Sequence, residues 1–210
     1  MVGEDEAEKA AASDAEDLEW LERFKSGNRR AFEFFVKKYQ RRLFRIIYNM
    51  TSSKEDTADL LQDVFLKAFR SLETFKGQSK FYTWLCRIAI NKTLDFLDAR
   101  KRKPVYSLET WGEGGNVAEF LMPGENIPAA DRAVLLKELQ EKLNEALQQL
   151  SHNHRTVVVL FEIEGMSHAE IAKTLQCSEG TVRSRLHYAK EQLKQSLSRY
   201  LKDHGGTTEV

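Results

Sequence analysis

The residues best equipped for chemistry crowd into the stretch Glu164–Lys194, EGMSHAEIAKTLQCSEGTVRSRLHYAKEQLK. Arg183, Arg185 and Lys190 carry cationic donors, and Thr181, Ser184, His187 and Tyr188 add neutral polar groups beside them. Donors of this kind on one short segment suit phosphate oxygens and base edges. Bond-making chemistry would need a nucleophile or a histidine oriented by a carboxylate. The elements that position these groups read as two short helices meeting at a corner. Ser167 and Glu170 have the S-x-x-E spacing of a capping box at the first helix, and Ile171, Ala172 and Leu175 form its inner face. Gln176 and Cys177 make the corner, and Ser178 can cap the second helix. There Val182, Leu186, Ala189, Leu193 and Leu197 recur at helical spacing and turn inward. Arg183, Ser184, His187, Tyr188 and Lys194 fall on the other side, flanked by Arg185 and Lys190. This is the layout of a helix-turn-helix whose second helix fits a DNA major groove. A basic helical hairpin packed in a bundle is the alternative.

No catalytic constellation accompanies it. There is no glycine-rich phosphate loop, and His152, His154, His168, His187 and His204 form no metal-like cluster with acids or cysteines. Cys86 and Cys177 are far apart without a CxxC partner, which argues against a zinc site or disulfide framework and for buried thiols in a reducing cytoplasm. The expectation is a non-enzymatic, cytoplasmic protein without cofactor or metal. No apolar run is long enough to span a bilayer, and the acidic N-terminus lacks a secretory hydrophobic region.

The 32 basic and 32 acidic residues cancel overall but segregate along the chain. Residues 1–22 hold nine acids and one base, and residues 23–50 nine bases and one acid, Glu33. Residues 76–103 hold eight bases and two acids, and residues 104–130 four acids and no base. Basic blocks are candidate phosphate surfaces, and acidic blocks can mimic or screen nucleic acid.

The periodicity predicts helices almost throughout. Residues 1–17 lack an apolar period and read as a disordered acidic tail. Leu18, Trp20, Leu21 and Phe24 open a short helix, which Gly27 breaks, and Asn28 can cap the next. Phe32, Phe35, Val36, Tyr39, Leu43, Ile46, Ile47 and Met50 mark a core-facing helix whose remainder is largely arginine and lysine. Ser53 and Asp56 read as a cap for a helix burying Leu61, Val64, Phe65, Ala68 and Leu72, with Asp59, Gln62, Asp63, Leu66 and Arg70 outside. Leu66, apolar among polar neighbours, is either one of the scattered apolar residues that surfaces commonly carry or part of a protein-docking face. After Gly77, Ser79 can cap a helix with Phe81, Trp84, Leu85, Ile88 and Ala89 inward. Lys76, Gln78, Lys80, Thr83, Arg87, Asn91 and Lys92 then form one polar, basic surface, and Tyr82, off the apolar stripe, is the better candidate for stacking on a base.

All three prolines and four glycines fall in residues 104–130, which read as a linker. Extended, its 27 residues would reach roughly 90 Å, more than two turns of duplex at ~34 Å each. Trp111, Phe120, Leu121 and Met122 suggest that it docks on something. A second helical unit opens at about Asp131, with Leu135, Leu139, Leu143, Ala146, Leu147 and Leu150 on one face. A helix through RTVVVLFEIE, ended by Gly165, leads into the helix-turn-helix, and residues 204–210 read as a tail.

Three blocks in order, DLLQDVFLKAFRSL, FKGQSKFYTWLCRIAINKTLDFL and EGMSHAEIAKTLQCSEGTVRSRLHYAKEQL, resemble bacterial sigma factors of the sigma-70 family, extracytoplasmic-function (ECF) group, over residues 18 to about 200. The resemblance implies an all-α chain of two helical domains. Residues 18–103 would be region 2, residues 104–130 the linker and residues 131–203 region 4. It implies binding to core RNA polymerase through Asp59, Gln62, Asp63, Leu66 and Lys67. It implies −10 recognition and melting through Lys76, Gln78, Ser79, Lys80, Tyr82, Arg87, Asn91 and Lys92. It implies −35 reading through Thr181, Arg183, Ser184, Arg185, His187, Tyr188 and Lys190. The linker would thread the polymerase near its active-site channel and RNA exit path, its acidity mimicking nucleic acid. An anti-sigma factor is an expected partner, and membrane insertion is not. Two positions depart from the family pattern: His152 stands where a proline is common, and Tyr188 where a basic residue often contacts DNA. A stand-alone helix-turn-helix regulator is the rival reading, but it normally needs dimeric half-sites, and no dimerisation element is visible.

Overall fold

The computed structural model describes residues 2–102 and 129–204. These residues form eight α-helices and no strand. They are α1 (Val2–Lys25), α2 (Phe32–Thr51), α3 (Lys54–Ser71), α4 (Phe81–Arg102), α5 (Ala129–Gln149), α6 (His152–Val158), α7 (His168–Leu175) and α8 (Glu179–His204). Short 3₁₀ turns, Arg29–Ala31 and Leu72–Thr74, join α1 to α2 and α3 to α4. A wide π turn, Val159–Ile163, continues α6. The all-α expectation is met.

Helices α2, α3 and α4 pack together, with α1 lying against them. Their shared core is aromatic: Phe24, Phe32, Phe35, Phe65, Phe75 and Phe81 are all buried. Edge-to-face pairs such as Phe24–Phe69 and Phe32–Phe69 set the rings at 84° and 86°, the geometry that ring quadrupoles favour. In the second unit α8 lies against α5, α6 and α7. Leu147, Leu150, Val157, Leu160, Ile171, Val182, Leu186 and Ala189 are buried there.

The two units share a seam. α7 packs on α4, and α2 meets α5 and α6. Arg155, only 4% exposed, closes part of that seam. Its guanidinium donates to the Leu147 carbonyl at 2.7 Å, the Gln148 carbonyl at 2.7 Å and the Leu150 carbonyl at 3.3 Å. It also reaches the Gln148 amide oxygen and, from the other unit, the Met50 carbonyl, both at 2.5 Å. Burial lowers its pKa to about 10, still far above neutrality.

Several local expectations meet a different outcome. The acidic segment expected to be disordered over residues 1–17 is helical from Val2 within α1. Alanine and glutamate are strong helix formers, and Asp17 is buried beside Lys38 and Tyr39. Asn28 makes no side-chain cap bond. Thr83, expected on the outer surface, is buried. Residues 103–128, which hold nearly all of the expected linker, lie outside the described residues, as do residues 205–210 of the expected tail. Ser79, expected to cap α4, instead turns its hydroxyl to the Lys80 carbonyl, and α4 begins only at Phe81. The caps at Ser53, Ser167 and Ser178 form as the spacing predicts. Ser53 accepts from the Asp56 amide, and Ser167 with Glu170 makes a full capping box. Where a proline was the family pattern, Ser151 caps α6 and lets it begin at His152.

Two outcomes test this packing. Arg155→Met should destabilise the chain by about 3 kcal/mol, because the acceptors it serves stay buried without a donor. A urea-unfolding midpoint matching wild type would contradict the role given to Arg155. Burial pushes the Cys86 thiol up to about 12, whereas Cys177 is only partly buried. Ellman's reagent at pH 8 should therefore label Cys177 in the native chain and Cys86 only on unfolding; prompt reaction of both thiols would refute it.

Candidate nucleic-acid and polymerase interface

On α8, the positions predicted to read DNA fall on the face turned away from the core. Arg183, Ser184, His187, Tyr188 and Lys190 are exposed, with Tyr188 at 61%, while Thr181 and Arg185 are half-buried. Val182, Leu186 and Ala189 pin the opposite face. The Ser178 hydroxyl accepts from the Thr181 amide at 3.1 Å, so the helix starts capped. Gln176 makes the corner in the left-handed region, φ 53°. Arg183 pairs with Glu179 at 3.2 Å, and Lys190 pairs with Glu162 at 2.7 Å while lying over the Phe161 ring. Arg185 has no such carboxylate partner among the described residues. His187 and Tyr188 form an edge-on pair, centroids 5.6 Å apart.

On α3, Asp59, Gln62, Asp63, Leu66 and Lys67 are all exposed. Leu66, at 47% exposure, is one of three large exposed apolar residues among the described ones, with Leu18 and Tyr188. The opposite face of α3 is held by Leu60, Val64, Phe65 and Ala68, so the polar ring around Leu66 is rigidly presented. Leu61, expected inward, is only partly buried.

The third surface runs from the loop after Phe75 onto α4. Lys76, Gln78, Lys80, Arg87 and Asn91 are exposed, and Ser79 and Lys92 are half-buried. Gly77 takes φ +69°, a conformation that side chains resist. The Ser79 hydroxyl donates to the Lys80 carbonyl at 3.3 Å. Lys80 pairs with Asp14 of α1 at 2.9 Å, and that hydrogen bond chiefly raises its pKa. Lys92 lies 3.8 Å from Asp63, where this surface meets that of α3. Phe81 is buried in the core, as its spacing predicts, and Trp84, expected to face inward, is partly buried against it.

Tyr82 departs from its expected place as an outward stacking ring. It is half-buried, stacks on Tyr39 at 5.1 Å, and carries the Arg42 guanidinium 3.8 Å above its centroid. Its hydroxyl donates to Glu164 at 2.5 Å. Burial, with Cys86 and Glu164 adding, pushes the phenol well above its usual range, so it remains a donor.

The structure also brings the two units' surfaces face to face. Lys76, Gln78, Ser79 and Arg87 line one side of a cleft of about 590 Å³, and Lys173, Thr174 and Gln176 of the other unit line the opposite side. The residues α3 presents are absent from the lining of that cleft. Three groups at the seam, Arg42, Arg45 and Glu164, have no role legible in the sequence. Their i, i+3 arginine spacing on α2 was visible, but nothing in one dimension joins residue 42 to residue 164.

A family model for sigma-70 region 2 matches residues 35–103, and one for sigma-70 region 4 matches residues 140–193. The RNA polymerase sigma-H factor of Pseudomonas aeruginosa is 37% identical over 188 residues, covering 90% of this chain and 97% of that protein. The ECF RNA polymerase sigma-E factor of Haemophilus influenzae is 33% identical over 183 residues, covering 86% of this chain and 95% of the relative. The chain belongs to the ECF group of sigma-70 factors. As a sigma factor it is a transcription initiation factor. That membership removes the case for a stand-alone helix-turn-helix regulator, because the match spans both units. Among solved structures, CnrH in complex with the cytosolic domain of CnrY aligns with TM-score 0.61 and 26% identity, covering 86% of this chain and 96% of that one. A sigma factor from Bartonella quintana, RpoE, solved with the anti-sigma factor NepR, shares the fold at TM-score 0.59 and 21% identity, covering 80% of this chain and 96% of that chain. No described helix of this sigma factor is long and apolar enough to cross a membrane.

Core and surface assignments separate experimentally. Phe81→Ala should cost about 3–5 kcal/mol of stability, whereas Tyr188→Ala should change it by under about 0.5 kcal/mol. Thermal unfolding of both variants is the check, and equal losses would contradict the burial pattern.

Proposed function

We propose that this sigma factor grips a promoter at two points while its α3 face holds core RNA polymerase. The observation that carries this reading is the segregation of three surfaces onto three rigid supports. Asp59, Gln62, Asp63, Leu66 and Lys67 lie on α3. Lys76, Gln78, Ser79, Lys80, Arg87, Asn91 and Lys92 lie on the loop and α4. Thr181, Arg183, Ser184, Arg185, His187, Tyr188 and Lys190 lie on α8.

Each support suits its task. Leu66 ringed by acids and an amide is an apolar anchor with a polar rim, the anatomy of a protein-binding spot. The loop at Gly77 presents amide, hydroxyl and ammonium groups where an unpaired −10 base would be captured, offsetting an unstacking cost of a few kcal/mol, order of magnitude. The exposed face of α8 presents donors to the −35 major groove, and phosphate contacts by its lysine and arginines set the register. Tyr188 offers a hydroxyl and a ring but no cation, so it contributes base or methyl contact rather than phosphate neutralisation. Residues 18–103 and 131–203 act as the two gripping domains, with residues 104–130 between them. The chain itself performs no bond chemistry. The polymerase does that, with both proteins in the cytoplasm, and an anti-sigma factor is a further partner of this chain, as NepR is of the Bartonella quintana RpoE.

Run-off transcription with purified core polymerase tests the whole reading: start-site-specific transcripts should appear only when this protein is added. Arg185→Ala should weaken the −35 contact by about 1–3 kcal/mol, and Gln78→Ala should alter −10 preference in a promoter library. Unchanged preference in both would remove the site assignment. Asp63→Ala should lower core association in a pull-down while leaving the melting temperature unchanged, and full retention would remove the α3 docking face.

A further inference from the structure

Glu164 ends the π turn after α6, and its side chain is fully buried at the seam. One carboxylate oxygen accepts from Arg42 Nε at 3.2 Å and from the Tyr82 hydroxyl at 2.5 Å. The other accepts from Arg45 at 3.0 and 3.3 Å. All three donors come from α2 and α4, while Glu164 comes from the other unit. Burial works against the Arg42 charge, but Tyr82 and Glu164 outweigh it and hold the guanidinium above its ordinary range. Both arginines nevertheless keep more than two-fifths of their side-chain surface in solvent, 43% and 45%.

This cradle lies within a basic stripe. Lys38, Arg42 and Arg45 fall on one face of α2, at i, i+4 and i+7. Lys38 is neutralised by Asp17 at 2.6 Å and Glu16 at 3.1 Å. Lys80, which lines the same pocket as Arg42, Tyr82 and Glu164, is neutralised by Asp14. Every one of these cations is therefore met by a carboxylate from α1 or from the second unit. A carboxylate offers two oxygens to fork-like donors in the way a phosphodiester offers its two non-bridging oxygens.

We propose that Arg42, Arg45 and Tyr82 form a phosphate site for single-stranded nucleic acid, which Glu164 occupies when the two units are closed and vacates when they part. The site adjoins the loop assigned to the −10 element, and in that respect the inference rests on the promoter reading above. Release of Glu164 frees two arginines and a phenol together, so opening of the seam and strengthening of the −10 grip become one event.

The test uses the full chain without polymerase, so its failure is distinguishable from failure of run-off transcription. Binding of a fluorescein-labelled 12-nucleotide single strand is read by anisotropy, and the radius of gyration by small-angle scattering. Glu164→Gln should enlarge the radius and tighten binding on the order of threefold to tenfold, with the salt slope steeper by about 0.7 for one added phosphate contact. Arg45→Ala should open the chain equally but bind at least threefold more weakly than Glu164→Gln, on the order expected for one lost phosphate contact. The double variant should bind like Arg45→Ala. Saturating oligonucleotide should also enlarge wild type, a readout that needs no variant to fold. Opening without tighter binding in Glu164→Gln, or an unchanged radius in oligonucleotide-saturated wild type, would overturn the proposal.

Discussion

One guanidinium, with no carboxylate partner among the described residues, ties the two units of this molecule together. Arg155 donates instead to carbonyls at the last turns of α5 and α2. Those turns carry backbone acceptors that no further helical amide satisfies, and the partial negative charge of two helix C-termini converges there. One cation thus answers two helix ends at once. The corner from α5 to α6 and the approach of the second unit to α2 both depend on it. The structure tolerates a buried charge because its fork geometry lets every contact be a hydrogen bond.

The second polar tie, Glu164 with Arg42, Arg45 and Tyr82, differs in character. Arg155 is enclosed, whereas the arginines around Glu164 are almost half in water. An enclosed charge is costly to strip of partners, while a half-solvated one can exchange partners. The seam therefore has a firm end near Arg155 and an exchangeable end near Glu164. The cleft between the loop of Lys76, Gln78 and Ser79 and α7 opens at the seam as well, so parting the units would uncover surfaces from both.

Much of this architecture was legible in the sequence. The helical stripes of α2 and α8 identify buried residues directly, because one face of each helix is apolar and the other charged. The caps at Ser53, Ser167 and Ser178 were readable because capping is local chemistry, complete within four residues. Long-range polar pairing was not. Tyr82 looked like an outward ring from α4 alone, since its covering partners come from residues 39, 42 and 164. Likewise the acidic N-terminal run looked unstructured because its helix presents carboxylates, not apolar groups, to Lys38 and Lys80. Periodicity analysis sees hydrophobic faces and is blind to faces that pack through charge.

The π turn Val159–Ile163 has a consequence for how this seam could vary among related chains. Such a turn holds one residue more than an α-helical path requires. Each residue along a helix advances the side-chain direction by about 100°, so the insertion sets the azimuth at which Glu164 leaves the helix. A single-residue deletion there would swing the carboxylate away from α2 while leaving both arginines, the tyrosine and the helix-turn-helix sequence intact. The partnership between the units is in that sense a matter of phase: a change in helical register, with no change in any contacting side chain, would uncouple them.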